Sequence, residues 1–345
     1  MKLPTAYATT IEKKTIDMTT SINPLGCSRR AVNAIRRMNA SDIASYPDQT
    51  KFLTRAASLY GVIQDAMLLG NGSEQLIKLI SSVFVRNNSV IAVESGSFFL
   101  FSREPILFGG TVRFFDVDSV KKMPKRPDVL FMANPTTPGG IDRSAKAILT
   151  VLDTLQPTVA VVDEANGEFS DNSLISSCGK RTNLIVLRTF SKAFGLAGLR
   201  IGMAIADPTI IETLRTFQQP FAVSSTALVA AEAALTDTAF LKKSKKFIAS
   251  ERIFLTKELK KRTFIVSESV TNNLFISRND SAQIIEKLSE LDVSVIDGTY
   301  FPGNTQAGFR ISLRDKQTNR AFLKQLRIAL ACLKNKKLLG SKEQL

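Results

Sequence analysis

Lys192 stands in "LRTFSKAFGLAGLRIG", Leu187 to Gly202, between an apolar run and a glycine-dotted segment, with Arg200 eight residues on. An amine in small, apolar company is desolvated. Desolvation and nearby cations lower a lysine's pKa toward the range in which it attacks a carbonyl. Thr189 and Ser191 add hydroxyls, so these four side chains suit one phosphate and an aldehyde beside it. Asp163 ends the apolar run of "AVVDEANGEF", Ala160 to Phe169. A carboxylate at a buried strand end of an α/β sheet lies where ligands bind, and stays ionised only beside a positive partner such as a protonated pyridine nitrogen. Capping of the next helix is the competing reading. In "LGNGSEQLI", Leu69 to Ile77, two glycines lead into a helix with Ser73 as expected N-cap. Converging backbone amides there bind phosphate, unless the stretch is only a tight turn.

Together these pieces describe a pyridoxal phosphate pocket: a phosphate cradle, an aspartate for the pyridinium and a lysine for the Schiff base. Such a cofactor is an electron sink for the substrate α-carbon, and a lysine displaced by substrate is a ready general acid/base.

The elements that must hold these residues alternate. Strands are expected at "SVIAV" (Ser89–Val93), "TVRFFDV" (Thr111–Val117), "DVLFM" (Asp128–Met132), "TVAVV" (Thr158–Val162), "LIVLR" (Leu184–Arg188) and "GMAIA" (Gly202–Ala206). Several are apolar throughout, as in strands covered on both faces. Between them run amphipathic helices, one with a stripe of Leu76, Ile77, Ile80, Val83 and Phe84, another opened by Asp207-Pro208. This is the βαβ pattern of a mostly parallel α/β sheet. After about residue 240 the pattern changes. A basic helix (Phe240–Arg262) leads into "TFIVS", "NLFIS", a helix near Ala282–Leu291, "VSVI", "FRISL" and a last helix from about Asp315 to Leu333. We therefore expect an N-terminal arm (1–40) packing with a smaller α+β domain (239–345), and a large cofactor-binding domain (41–238).

Composition narrows the chemistry. The 345 residues include no histidine, which removes Ser-His-Asp and Cys-His catalysis and histidine metal sites. Cys27, Cys178 and Cys332 show no CxxC spacing and read as reduced thiols. With no apolar signal core and no apolar run long enough for a membrane span, a cytoplasmic protein without a membrane partner is expected. The net charge is +15, but its clusters at Lys121–Arg126, Lys242–Lys246, Lys257–Arg262 and Lys334–Lys337 are dispersed. They read as solvated surface, not as a nucleic-acid interface.

The chain resembles the fold-type I aminotransferases, and within them the histidinol-phosphate aminotransferase branch. "TFSKAFGLAGLRIG…IADP" carries that likeness, which extends from "SINPLG" to "GFRISLRDKQTNRAFLKQL". "INPLG", "GNGSE" and "FRISLR" look more like the related threonine-phosphate decarboxylases. The resemblance implies a mostly parallel seven-stranded sheet with helices on both faces plus a smaller α+β domain. It also implies a homodimer with active sites at the subunit boundary. Tyr46 of "YPD" matches the tyrosine that reaches the neighbour's cofactor phosphate, Gly72 and Ser73 the phosphate cradle, and Phe98 the ring-stacking aromatic. Arg310 matches the arginine that grips the substrate carboxylate, a bidentate task that suits a guanidinium. Arg314, beyond Ser312, is expected on the same strand face, where it would bind a substrate phosphate or stay a solvent-facing charge.

Two departures stand out. The family's "NPNNPTG" is "NPTTPGG" here, so Thr137 replaces the asparagine that bonds the cofactor's ring oxygen. "DEAN" replaces "DEAY" or "DEAF", putting Asn166 where an aromatic is usual. An exchange is expected, with Asn166 donating to the ring oxygen and Thr137 making a weaker contact. Met203 also replaces the tyrosine common after "RIG". The leading expectation is transamination of a small amino acid or amino-phosphate. Decarboxylation of an O-phospho-amino acid follows, then a divergent cofactor-fold protein with altered activity.

Overall fold

A computed structural model describes residues 14–123 and 126–340. Its strands are β1 (Ile16–Asp17), β2 (Met67–Gly70), β3 (Val90–Glu94), β4 (Thr111–Phe115), β5 (Val129–Ala133), β6 (Val159–Asp163), β7 (Leu184–Thr189), β8 (Gly202–Ile205), β9 (Ile265–Val266), β10 (Asn273–Ser277), β11 (Val293–Ser294), β12 (Ile296–Asp297) and β13 (Gly308–Ser312). Of the expected segments, residues 1–13 of the arm, 341–345 at the end, and Pro124 and Lys125 of the Lys121–Arg126 run lie outside the described residues.

β2 to β8 form one seven-stranded sheet in the order β2-β8-β7-β6-β5-β3-β4. Its neighbours are parallel except that β8 runs antiparallel to β2 and β7. The apolar strands are apolar because both faces are covered. Leu130, Met132, Ala160, Val162, Leu184 and Val186 join one core layer, and the intervening Val129, Phe131, Val159, Val161, Ile185 and Leu187 join the other. The first layer receives the helices Ala145–Leu155 and Ser225–Leu235. The second receives Gly72–Phe84 through Leu76, Ile77, Ile80 and Val83.

The six strands expected for this sheet are present, each near its expected place. β2 was not anticipated: its Met-Leu-Leu-Gly has no period to distinguish a strand. Ser73 is not the N-cap of its helix. Asn71 precedes the helix without a side-chain cap bond, and Ser73 stands inside the first turn. Asp207 does cap, accepting the Thr209 N–H with Pro208 next to it.

A second sheet, in the order β12-β13-β10-β9, is antiparallel. The helices Thr238–Lys260, Ser281–Glu290 and Lys316–Gly340 cover it through Ile248, Leu255, Ile284, Leu288, Phe322 and Leu326. β1 pairs in parallel with β11, and Met18 enters the same core. The segment after β1 then crosses toward the seven-stranded sheet. There β3 and β5 are neighbours, but the chain leaves β3 for β4 on one side and β5 for β6 on the other. Such a reversal opens a crevice at the carboxyl ends of the strands.

Candidate active site

A cavity of about 220 Å³ occupies that crevice. Ser73, Phe98, Thr137, Asp163, Asn166, Thr189, Ser191, Lys192, Arg200 and Arg310 all line it. Gly72 lies just behind: its φ is +75°, and a Cβ there would meet Arg200 Nη2 at 2.7 Å, so the close approach requires glycine. Phe98 and the adjacent buried Phe99 meet edge to face, centroids 5.0 Å apart.

Asp163 closes β6 with its carboxyl buried and accepts the Ala165 N–H at 2.9 Å. Burial pushes its pKa up to about 7, although that N–H and the Lys192 charge pull the other way. A carboxyl in this state lacks a cation, and a protonated ring nitrogen is one. Lys192 exposes part of its surface to the cavity, but its amine sits deep and donates to the Ser21 carbonyl at 3.1 Å. Burial and then the charge of Arg310 lower its pKa to about 8, against Asp163 and Glu74. Asn166 is buried with its side-chain oxygen unpartnered. Amide oxygen and nitrogen positions exchange by a simple flip, so the observation is one idle amide group at the cavity wall.

The hydroxyls of Thr189 and Ser191 lie 3.0 Å apart. Arg200, close by, donates to Glu74 at 3.1 Å and to the Ala197 carbonyl at 3.1 Å. Opposite them, Arg310 donates Nη2 to the Thr19 carbonyl at 2.6 Å, leaves Nε unpartnered, and holds its Cζ 5.6 Å from the Phe301 ring centre. Among the described residues it has no ion pair. Burial lowers its pKa to about 10, with partial relief from Asp17.

Two expected residues lie elsewhere. β13 ends at Ser312, so strand alternation no longer aims Arg314 beside Arg310. Arg314 is outside the cavity wall and donates to the Thr20 carbonyl at 3.3 Å. Tyr46 is 80% exposed and stacks on Phe221 with centroids 4.5 Å apart, away from this chain's own cavity.

The strap of residues 19–22 was missed. It walls the cavity, and Arg310, Arg314 and Lys192 grip three consecutive carbonyls on it, those of Thr19, Thr20 and Ser21. Only the extended look of "SINPLG" hinted at it. Glu74, Phe99, Asn273 and Ile296 also reach the wall; the first two adjoin expected residues, while the other two carried no chemical signal. Among the described residues no metal-ligating cluster occurs, and no helix is long and apolar enough to cross a membrane.

This fold and cavity are those of a class the sequence comparison defines: the chain belongs to the aminotransferase class I and II family, which matches residues 13–326. It is an enzyme, a transferase of α/β architecture. Similar proteins include the histidinol-phosphate aminotransferase of Moorella thermoacetica, 31% identical over 337 residues, 92% of this chain and 86% of that one. That of Thermoanaerobacter pseudethanolicus is 33% identical, covering 84% and 86%. Among solved structures, the histidinol-phosphate aminotransferase of Sinorhizobium meliloti in complex with pyridoxal-5'-phosphate superposes with a TM-score of 0.84 at 23% identity, covering 93% and 92%. The L-threonine-O-3-phosphate decarboxylase of Porphyromonas gingivalis reaches 0.78 at 23% identity, covering 91% and 99%.

Proposed function

We propose that this protein is a pyridoxal phosphate-dependent aminotransferase, similar to histidinol-phosphate aminotransferases, acting on a small amino acid or amino-phosphate. One observation carries the reading: Lys192, Asp163 and Arg310 line the same cavity, and among the described residues none of the three makes an ion pair. When bound, pyridoxal phosphate supplies an aldehyde for the lysine amine and a conjugated ring that draws electrons from the substrate α-carbon.

The residues fit that group. Asp163 is short of the cation that a protonated ring nitrogen provides, Asn166 offers an idle amide for the ring oxygen with Thr137 nearby, and Phe98 offers a face to the ring. Gly72, Ser73, Thr189, Ser191 and Arg200 would receive the phosphate. Lys192, with a pKa near 8, carries a useful fraction of free amine near neutral pH and afterwards moves the α-proton. Arg310 holds the substrate carboxylate, taking up the anion that its present carbonyl partner only imitates. Arg314 keeps the strap in place.

We assign the large cofactor-binding domain to 41–238 and the small one to 239–345. The arm divides between them: β1 and Met18 join the small domain's core, whereas Ala31 of the helix Arg29–Arg36 is buried in the large domain's core with Ala227 and Ala231, so the expectation that the whole arm packs on the small domain holds only for its first part. We further propose a homodimer. Tyr46 and Phe221 are stacked yet exposed, and Ile43 and Phe217 nearby in sequence are 72% and 60% exposed, an apolar surface unusual for a lone chain. Tyr46 would then serve the partner's phosphate site. The free cysteines agree with a cytoplasmic location.

Borohydride reduction of the cofactor-loaded protein, followed by peptide mapping, tests the reading. The label is expected on Lys192; a label elsewhere, or a colourless protein in saturating cofactor, overturns it. The decarboxylase alternative draws on the "INPLG" and "FRISLR" motifs together with that fold likeness. Amino-donor screening that records keto-acid dependence and carbon dioxide together separates the two.

A further inference from the structure

A single guanidinium lies beneath the loop that floors the cavity. Arg188, on β7, is 6% exposed. It donates Nη1 to Glu164 at 2.8 Å and Nη2 to Glu168 at 2.7 Å. These carboxylates bracket Ala165, Asn166 and Gly167, and the first two of those are cavity wall. Gly167 sits so low on the guanidinium that a Cβ there would lie 1.8 Å from Arg188 Nη1. Glu164 is held from its other side by the Leu174 N–H at 2.6 Å and the Ser173 hydroxyl at 2.7 Å. Tyr60 lays its ring 5.3 Å from Arg188 Cζ. Neither Arg188 nor either glutamate reaches the cavity itself.

We propose that Arg188 is a positioning residue: by clamping Glu164 and Glu168 it sets the height of Ala165 and Asn166 against the cofactor ring. The proposal rests on the pyridoxal phosphate reading above. Among the described residues, the Asn166 side-chain oxygen has no partner to hold it in place. Its loop is located by a fork with two fixed ends, and lysine, with one point charge, cannot reproduce that fork. A site wall held this way is pre-organised for its ligand, and a displacement near 1 Å loosens binding steeply.

The test compares wild type with Arg188→Lys, Glu168→Gln and Gly167→Ala. The last removes no charge and no hydrogen-bonding group, but drives the guanidinium out from under the loop. Arg181→Lys, which alters an exposed pair with Asp153, is the control. For each we would measure the cofactor dissociation constant, the pH midpoint of the visible band of the loaded protein, and the denaturant midpoint of the cofactor-free protein.

We expect the three variants to bind pyridoxal phosphate about tenfold or more weakly. Their band should titrate at higher pH, by on the order of one unit, as the ring oxygen loses the Asn166 bond. The control should match wild type. If the variants that fold keep the wild-type constant and midpoint, Arg188 is only a structural residue and the proposal fails, however much stability is lost. If Arg188→Lys does not fold, the two milder variants decide. A wild-type protein that takes up no cofactor sinks the functional reading instead, which separates the two failures.

Discussion

Two arginines, one on a strand of each main sheet, are treated in opposite ways. Arg188, under the seven-stranded sheet's loop, has two carboxylates; Arg310, on the small sheet, has one carbonyl and an aromatic edge. Burial works against both charges. For Arg188 the neighbouring Glu168, Tyr60 and Glu164 outweigh it and hold the guanidinium above its ordinary pKa. For Arg310 burial wins, and the pKa falls to about 10. A charge already paired with carboxylates belongs to the scaffold, whereas a charge left short of an anion marks where a ligand's anion is meant to go. Lys192 and Asp163 fall on the Arg310 side of this division.

That division can be broken or sharpened by experiment. The largest effect is expected from Lys192→Ala, which should cost at least about 10⁴-fold in the half-reaction with an amino donor. Stopped-flow absorbance measures it, and turnover within tenfold of wild type would remove Lys192 from the chemistry. Next come the arginines in cofactor-free protein. Arg188→Met should lose about 3–5 kcal/mol of unfolding free energy, because Glu164 and Glu168 stay buried without their cation. Arg310→Met should lose little or gain. Equal losses in denaturant titrations would erase the contrast.

Asp163→Asn should lower the same half-reaction about 10²-fold, since the amide cannot hold a ring nitrogen protonated. Arg310→Lys should raise KM for carboxylated donors about tenfold to a hundredfold with a smaller change in kcat, because the two-pronged contact is lost. A kcat loss with unchanged KM would contradict that role. The smallest effect is on pH dependence. Asp163 titrates near 7 when folded and at its ordinary 3.8 when unfolded. The folded chain thus keeps a proton that the unfolded chain has released. Asp163's contribution to the stability of the cofactor-free protein should fall as pH rises across that window, so the slope should become shallower in Asp163→Asn. A contribution of the opposite sign would show Asp163 already paired.

Much of the seven-stranded sheet was legible because its strands are buried on both faces, and continuous runs such as Val129–Ala133 and Val159–Asp163 have no other use in an α/β chain. β2 was not legible, since four apolar residues beside a turn fit strand or helix equally. The cap at Ser73 was misplaced because glycine at Gly72 already enters the helix with positive φ. That Lys192, Asp163, Ser73, Thr189, Ser191 and Arg200 gather at one cavity was readable from residue type and local company. The strap was not: nothing local in Thr19 or Ser21 connects them to Arg310 or Lys192, far along the chain.

Sequence alone therefore determined the chemistry on offer: an amine, a carboxyl and a guanidinium in apolar surroundings, each tied to a recognisable turn or strand end. Tertiary structure decided which charges are satisfied. Arg188 and Arg310 both look like arginines within apolar strands, and only folding brings Glu164 and Glu168 to the first and a bare carbonyl to the second. Partnership between charges is a matter of ångströms across distant segments, and no local pattern of residues encodes that distance.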